Sequence, residues 1–234
     1  MAQTIKPIWR KYIAMKYEKV LPDATYAPWL TDQGFIHTFL RIRGHSLVGK
    51  YKAYELWTLV GEANKSKEGA LIEVGVWMGG TGALIANRCR VDGILAPVYL
   101  CDTFTGVVKA GDQDPVYKGG EHADSSREVA QRLLNTLELP DAKILEGVFP
   151  DDTANQIPKG TMFKFAHLDV DVYQSTADIM TWLWPRMLPG GIVVFDDYGS
   201  QQCAGVTSLV NEICANGDRI FIHNLNGHAI FIKL

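Results

Sequence analysis

The sequence predicts an α/β protein: a mostly parallel, seven-stranded sheet with helices on both faces and an antiparallel terminal strand. Three observations predict it. From Ala70 to Phe195, short strand-like runs alternate with stretches of helical spacing, as when helices carry the chain between parallel strands. The last two strand-like runs, Arg219 to His223 and Ala229 to Lys233, are joined only by Asn224-Leu225-Asn226-Gly227-His228, too short for a parallel crossover. Two acidic clusters, His167-Leu-Asp169-Val-Asp171-Val-Tyr173 and Val193-Val-Phe-Asp196-Asp197-Tyr198, each follow an apolar strand-like run, as residues on the carboxyl rim of such a sheet would.

In chain order, Tyr51 to Asn64 has apolar residues at Tyr51, Tyr54, Leu56, Trp57 and Val60, the spacing of an amphipathic helix. Ala70 to Val76 reads as strand and Thr81 to Arg90 as helix; Pro97 to Cys101 and Ser125 to Leu137 repeat the pair. Lys143 to Leu145 is the next strand, with a short helix near Asp151 to Gln156. Met162 to Leu168, Gln174 to Met187 and Ile192 to Phe195 then read strand, helix, strand, and a helix over Val206 to Ala215 precedes the terminal hairpin. Gly106 to Asp124 is glycine-rich, of mixed charge, and breaks the alternation. A loop this long after the second strand is expected to cover the ligand rim.

At 234 residues the chain has room for a large core in one domain, read as a cap segment over 1–45 and a main domain over 46–234 with the loop inserted at about 106–125. A hydrophobic share of 47% and a net charge of −3 place it among soluble proteins with no general attraction for nucleic acid or anionic membrane. Small-molecule chemistry fits better. No apolar run approaches the roughly 18 to 20 residues of a membrane span. Met1 to Pro22 is basic, but Trp9 and Tyr12 interrupt any signal-peptide core, so a cap helix is expected there. Cys89, Cys101, Cys203 and Cys214 have neither C-x-x-C nor zinc-like spacing, consistent with reduced thiols in a cytoplasmic protein.

The acidic clusters carry the most specific chemistry. Adjacent strands lie about 4.8 Å apart, and like charges about 4 Å apart repel by roughly 4 kcal/mol even at an effective dielectric of about 20. Neither cluster contains Lys or Arg, so a hard divalent cation, Mg²⁺ or Ca²⁺, is expected between Asp169, Asp196 and Asp197. Asp171 has a second reading, because Asp171-Val-Tyr-Gln174 also matches a capping box for the next helix. Glu73-Val-Gly-Val-Trp-Met-Gly-Gly-Thr-Gly82 runs from strand into helix, where glycines allow close ligand approach or simply a tight turn. Asp102 ends the second strand and could accept ribose hydroxyls or cap the following segment. Gly147-Val148-Phe149 could frame an adenine or form a plain loop, and His122 could touch substrate from the long loop.

Together, Glu73 to Thr81, Asp102-Thr-Phe-Thr-Gly106, Leu168 to Thr176 and Leu188-Pro-Gly-Gly-Ile-Val-Val-Phe-Asp-Asp-Tyr-Gly199 resemble the macrocin O-methyltransferase family, which includes mycinamicin and novobiocin sugar methyltransferases. The likeness runs from about Ser46 to about Ile213. It implies the class I methyltransferase fold and S-adenosylmethionine-dependent, Mg²⁺-dependent methyl transfer to a hydroxyl, often on a sugar. By family position, Asp169, Asp196 and Asp197 would hold the metal and Asp171 would be the general base. The cofactor set would be Ser46, Glu73, Gly75, Val76, Trp77, Gly79, Gly80, Thr81, Asp102, Thr103, Phe104, Ser126, Gly147, Val148 and Asp169, with His122 and Tyr198 toward the substrate. A homo-oligomer built partly from the N-terminal segment is the family expectation. The chain departs from the common pattern at Met78, Thr105 and Val170, where Arg, Glu and Gly are frequent. Val170 lies between two acids and bears on acceptor choice. Competing readings are a catechol-type enzyme acting on a phenol, whose second cluster typically ends Asp-Asn; an NAD-dependent oxidoreductase, which leaves the paired acids unexplained; and a non-enzymatic module, which would have lost the rim acids.

Overall fold

The computed structural model describes residues 20, 23–66 and 68–234. The helix expected over Met1 to Pro22 lies outside the described residues apart from Val20. Two helices precede the sheet: α1 (Gln33–Arg41) and α2 (Lys50–Ala63). The Asp32 side chain accepts from the Phe35 N–H to cap α1, and its other oxygen accepts from the Trp57 indole of α2. The alternating unit then runs β1 (Ala70–Val74), α3 (Gly80–Val91), β2 (Val98–Asp102), α4 (Arg127–Thr136), β3 (Ala142–Glu146), β4 (Phe163–Leu168), α5 (Tyr173–Leu183), β5 (Met187–Phe195), α6 (Ala204–Ile213), β6 (Arg219–Asn224) and β7 (His228–Lys233).

The sheet has seven strands in the order β3-β2-β1-β4-β5-β7-β6. Strands β1 to β5 pair in parallel, and β7 is antiparallel to both β5 and β6. The order reverses beside β1, so the carboxyl ends of β1 and β4 open a crevice where ligands of open α/β sheets bind. Two cores sandwich the sheet. On one face Phe35, Trp57, Leu84 and Leu133 from α1 to α4 pack on Leu71, Leu100, Phe165 and Val194. On the other, Ile179, Leu183, Val206 and Val210 from α5 and α6 pack on Ile72, Tyr99, Ala166 and Val193. Successive strand residues alternate between these cores, so the central strands are apolar throughout. Glu73, Lys164 and His167 are the exceptions, and Glu73 and His167 are fully buried side by side on the α1–α4 face.

Two boundaries differ from the sequence reading by more than two residues. The helix expected through Met187 ends at Leu183 and passes into a 3₁₀ turn, Trp184–Arg186, because Pro185 cannot continue the ladder. Strand β5 starts at Met187 rather than Ile192, with an irregular register across Leu188-Pro-Gly-Gly191. The short helix near Asp151 to Gln156 is a 3₁₀ turn, Ala154–Gln156. No helix among the described residues is long and apolar enough to cross a membrane.

The 106–124 segment is tied down rather than free. Asp114, almost fully buried, accepts from the N–H groups of Gly111 and of Tyr173 at the start of α5, each at 2.9 Å. The Ser175 hydroxyl donates to the Val108 carbonyl, and Lys109 bridges Asp151 (2.8 Å) and Asp178 (2.6 Å). The loop therefore borrows rigidity from α5. Replacing Asp114 with Ala strips the first N–H of α5 of its partner, and we expect a loss of about 1–3 kcal/mol of stability in urea unfolding with an unchanged m-value.

Candidate active site

One cavity of about 1220 Å³ opens over the carboxyl ends of β1, β2, β4 and β5. At one end the turn after β1 meets the loop after β4. Gly75 has φ of +90°, and a Cβ there would lie 1.7 Å from the Asp169 carbonyl oxygen, so only glycine admits this approach. Helix α3 follows Gly79, which caps it without a side-chain bond, and Thr81 of its first turn lines the cavity. Gly80 lies directly under His45 and Ser46: its N–H donates to the His45 carbonyl, and a Cβ would fall 2.5 Å from that oxygen. This contact carries Ser46 to the cavity wall.

Asp102, at the end of β2, accepts from the N–H groups of Val76 (2.6 Å) and Trp77 (2.7 Å) on one oxygen and of Phe104 (2.7 Å) on the other. A carboxylate has about four lone-pair directions, so one remains for a ligand hydroxyl. The Gly147 N–H donates to the Asp102 carbonyl, and the Val148 N–H to Asp152, placing both residues beside Asp102 on the wall. The Trp77 indole donates to Asp124, joining the glycine turn to the long loop.

At the other end of the cavity stand Asp169, Asp171, Asp196 and Asp197. Carboxylate oxygens of Asp169, Asp196 and Asp197 lie within 4.8 Å of one another. Burial, then the charges of Asp196, Asp171 and Asp197, push the Asp169 carboxyl well above the usual range. Burial and Asp197 push Asp171 up to about 6, against bonds from Cys203 and Tyr117. Asp196 goes the other way. Burial opposes its ionisation, but His228, Lys52 and His167 outweigh burial and hold it below the usual range.

The cation expected between the clusters is in part supplied by the chain. Lys52 of α2 forms an ion pair with Asp196 and reaches Asp197 at 3.0 Å, from 145 positions away in sequence. Its ammonium is desolvated, yet the two carboxylates raise its affinity for the proton overall. One turn along α2, Glu55 accepts from the side chains of Asn224, Asn226 and His228, fixing the β6–β7 hairpin to the helix. Neither residue was found from sequence. The available signal was Lys52 and Glu55 on one face of a helix, but nothing local tied that face to the acidic rim.

The structure brings most of the sequence-predicted residues to the cavity wall. Ser46, Gly75, Val76, Trp77, Thr81, Asp102, Thr103, Gly147, Val148, Asp169, Asp171, Asp196, Asp197 and His122 line it. Others support it from behind. Glu73 is buried against His167, Gly79 packs on Ala130, Phe104 lends its N–H to Asp102, and Ser126 caps α4. Tyr198 points away: Asp197 takes a left-handed turn (φ +57°), and the Tyr198 ring packs on Phe221 and His223 while its hydroxyl donates to Asn211. Asp171 does not cap α5. That N-cap is Val172, without a side-chain bond, and the Tyr173 N–H is taken by Asp114. The capping reading of Asp171 is thereby replaced: Asp171 sits in a left-handed conformation (φ +64°) with its carboxylate 3.4 Å from the Cys203 sulfur.

The all-oxygen set of Asp169, Asp196 and Asp197 is the donor chemistry a hard divalent ion selects. Their crowding gives such an ion a place, provided Lys52 yields part of its hold on Asp196 and Asp197. The cavity around Asp102 equally suits a nucleoside, with carboxylate, glycine turn and the first turn of α3 on one side.

A family model for macrocin-O-methyltransferase (TylF) matches residues 40–213. The demethyldecarbamoylnovobiocin O-methyltransferase of Streptomyces niveus is 27% identical over 207 residues, covering 84% of this chain and 76% of that enzyme. The 8-demethyl-8-(2,3-dimethoxy-alpha-L-rhamnosyl)-tetracenomycin-C 4'-O-methyltransferase of Streptomyces olivaceus is 30% identical over 169 residues; the match spans 64% of each chain. Among solved structures, the O-methyltransferase NovP superposes with a TM-score of 0.70 at 24% identity, covering 81% of this chain and 82% of NovP. That likeness and the strand order establish the methyltransferase fold.

Replacing Lys52 with Met removes the ammonium while keeping most of the apolar stem of the side chain. Breaking such a part-buried pair is expected to cost about 3 kcal/mol in EDTA. Millimolar Mg²⁺ is expected to raise the melting midpoint of the variant more than that of the unaltered protein, measured by differential scanning fluorimetry.

Proposed function

The chain belongs to the macrocin O-methyltransferase family, and on that footing we propose that it transfers a methyl group from S-adenosylmethionine to a hydroxyl of a sugar or glycosylated metabolite, with Mg²⁺ bound at the acidic rim. The observation that carries this reading is the position of Asp171: released from capping, it faces the same cavity as Asp102 and the glycine turn. Asp102 accepts a ribose hydroxyl, Gly147 and Val148 flank the adenine, and Gly75 to Thr81 with Ser46 hold the methionine half. The methyl donor supplies an electrophilic methyl on a sulfonium. Asp169, Asp196 and Asp197 would hold the metal, which lowers the pKa of an acceptor hydroxyl and fixes its orientation.

Asp171 takes the proton from the acceptor hydroxyl as that oxygen attacks the methyl in line. Burial suits this role, since a carboxylate raised to about 6 is a better base than an exposed one and is still ionised at neutral pH. His122 and Tyr117, 3.3 Å apart on the long loop, stand over Asp171 from the solvent side. We read the 106–125 insertion as the cover that excludes water during transfer, and 1–45 as a cap on the main domain. At about 1220 Å³ the cavity exceeds the usual range of roughly 300–1,000 Å³ for one ligand, which favours cofactor and acceptor together. Trp29, Tyr51, Tyr54 and Leu225 form an aromatic and apolar wall near the acids. Such a wall suits an acceptor with an apolar body attached to its sugar. With net charge −3, the partners are small molecules rather than nucleic acid or membrane, and the proposed setting is the cytoplasm.

The test is methyl transfer from labelled S-adenosylmethionine to a panel of glycosides and catechols with Mg²⁺, read by mass spectrometry. Labelled glycoside supports the proposal; labelled catechol with unreacted glycoside moves the acceptor to a phenol. Asp171→Asn is expected to lower turnover roughly 10²- to 10⁴-fold while S-adenosylhomocysteine and Mg²⁺ affinities stay unchanged. Near-normal turnover would remove Asp171 from the reaction.

A further inference from the structure

Behind the rim acids lies a second arrangement with different donors. His167 of β4 and His228 of β7 have fully buried side chains. Each has its Nδ1 against a glutamate: His167 on Glu73 at 2.8 Å, His228 on Glu55. A carboxylate beside Nδ1 keeps the proton there, so Nε2 is left with a free lone pair in the neutral ring. Neither Nε2 has a hydrogen-bond partner. A ring nitrogen of each histidine and an Asp196 oxygen lie within 4.8 Å of one another.

Two buried orphan acceptors gain nothing from facing one another and a carboxylate with no donor between them. They gain from a cation held between them. His228 Nε2 stands 3.3 Å from Asp196 Oδ1 without the alignment of a hydrogen bond. Ligands on one tetrahedral ion with bonds of about 2.0–2.1 Å are separated by roughly 3.3 Å. The Glu73–His167 and Glu55–His228 pairs have the form of the carboxylate–histidine partners that orient imidazoles on metals.

We propose that His167, His228 and Asp196 form a binding site for a borderline divalent ion of the zinc class, distinct in donor chemistry from the oxygen-only set of Asp169, Asp196 and Asp197. Imidazole nitrogens favour Zn²⁺ or Co²⁺ over Mg²⁺, so the two sets select different ions while sharing Asp196. Three protein ligands leave one position open. Lys52 contacts both Asp196 and Asp197, so it can keep Asp197 when Asp196 turns toward the ion. The site stands on the buried imidazoles alone, and it holds whether or not the chain transfers methyl groups.

The test uses the full chain, stripped with EDTA and dialysed, then titrated with Co²⁺ and followed by its visible d–d absorption. Zinc K-edge X-ray absorption on the Zn²⁺-loaded protein counts the ligands. The expected result is an absorption band that excess Mg²⁺ does not remove and Zn²⁺ does, with two imidazole nitrogens around zinc. Glu55→Gln, which alters the partner of His228 and leaves all three ligands in place, is expected to weaken Co²⁺ binding about 10- to 100-fold. His228→Gln weakens it further, and Asp197→Asn leaves the band in place. An all-oxygen zinc shell, removal of the band by Mg²⁺, or loss of the band in Asp197→Asn but not in His228→Gln overturns the proposal. If His228→Gln fails to fold by circular dichroism, the zinc shell of the unaltered protein decides.

Discussion

Repulsion among the carboxylates at the ends of β4 and β5 is the constraint on which the rest of this structure depends. Asp169, Asp171, Asp196 and Asp197 face one cavity, and Asp196 is buried deeply enough that water does little to screen it. The chain answers with an ammonium and an imidazole brought from elsewhere in the sequence. Lys52 arrives from α2 before the sheet begins, and His228 arrives from the final strand. The His228 contact needs the terminal strand inserted antiparallel between β5 and β6, since that insertion sets His228 beside Asp196 and the hairpin turn against Glu55. The topology and the electrostatics of the rim are therefore one problem.

Cation sharing also explains why α2 is fixed so firmly. Its Leu56, Trp57 and Val60 are buried in the core on the α1–α4 face, while Lys52 and Glu55 meet the rim and the hairpin. Core packing sets where the ammonium stands, in contact with both Asp196 and Asp197. On the opposite face the long loop is latched by Asp114 to the start of α5, directly after Asp171. A base placed by a left-handed backbone position depends on that latch, because residue 172 otherwise begins α5 without a partner for the following N–H.

The fold was largely legible in sequence, because strand and helix periodicities alternate cleanly between Ala70 and Phe195 and the five-residue connection before β7 forbids a parallel crossover. The strand ends were legible for the same reason, so Asp102, Asp169, Asp196 and Asp197 were expected on one rim. What stayed hidden were long-range contacts. Lys52 carries no local mark of its partners, and Asp114 looked like one more polar loop residue although it replaces Asp171 as the partner of α5. Tyr198 was misread because adjacency to Asp197 in sequence says nothing about the left-handed turn that sends its ring to the other face. Glu73 sat in a recognisable glycine motif, but strand alternation directs it into the core rather than into the cavity.

The most direct measurement is calorimetric titration of S-adenosylhomocysteine into the protein, followed by candidate glycosides in Mg²⁺ or in EDTA. The account predicts one cofactor site per chain, and glycoside binding that needs Mg²⁺ and is strengthened once the cofactor site is filled. Absence of S-adenosylhomocysteine binding would contradict the methyl-transfer reading, and glycoside binding of equal strength in EDTA would contradict the role given to the metal.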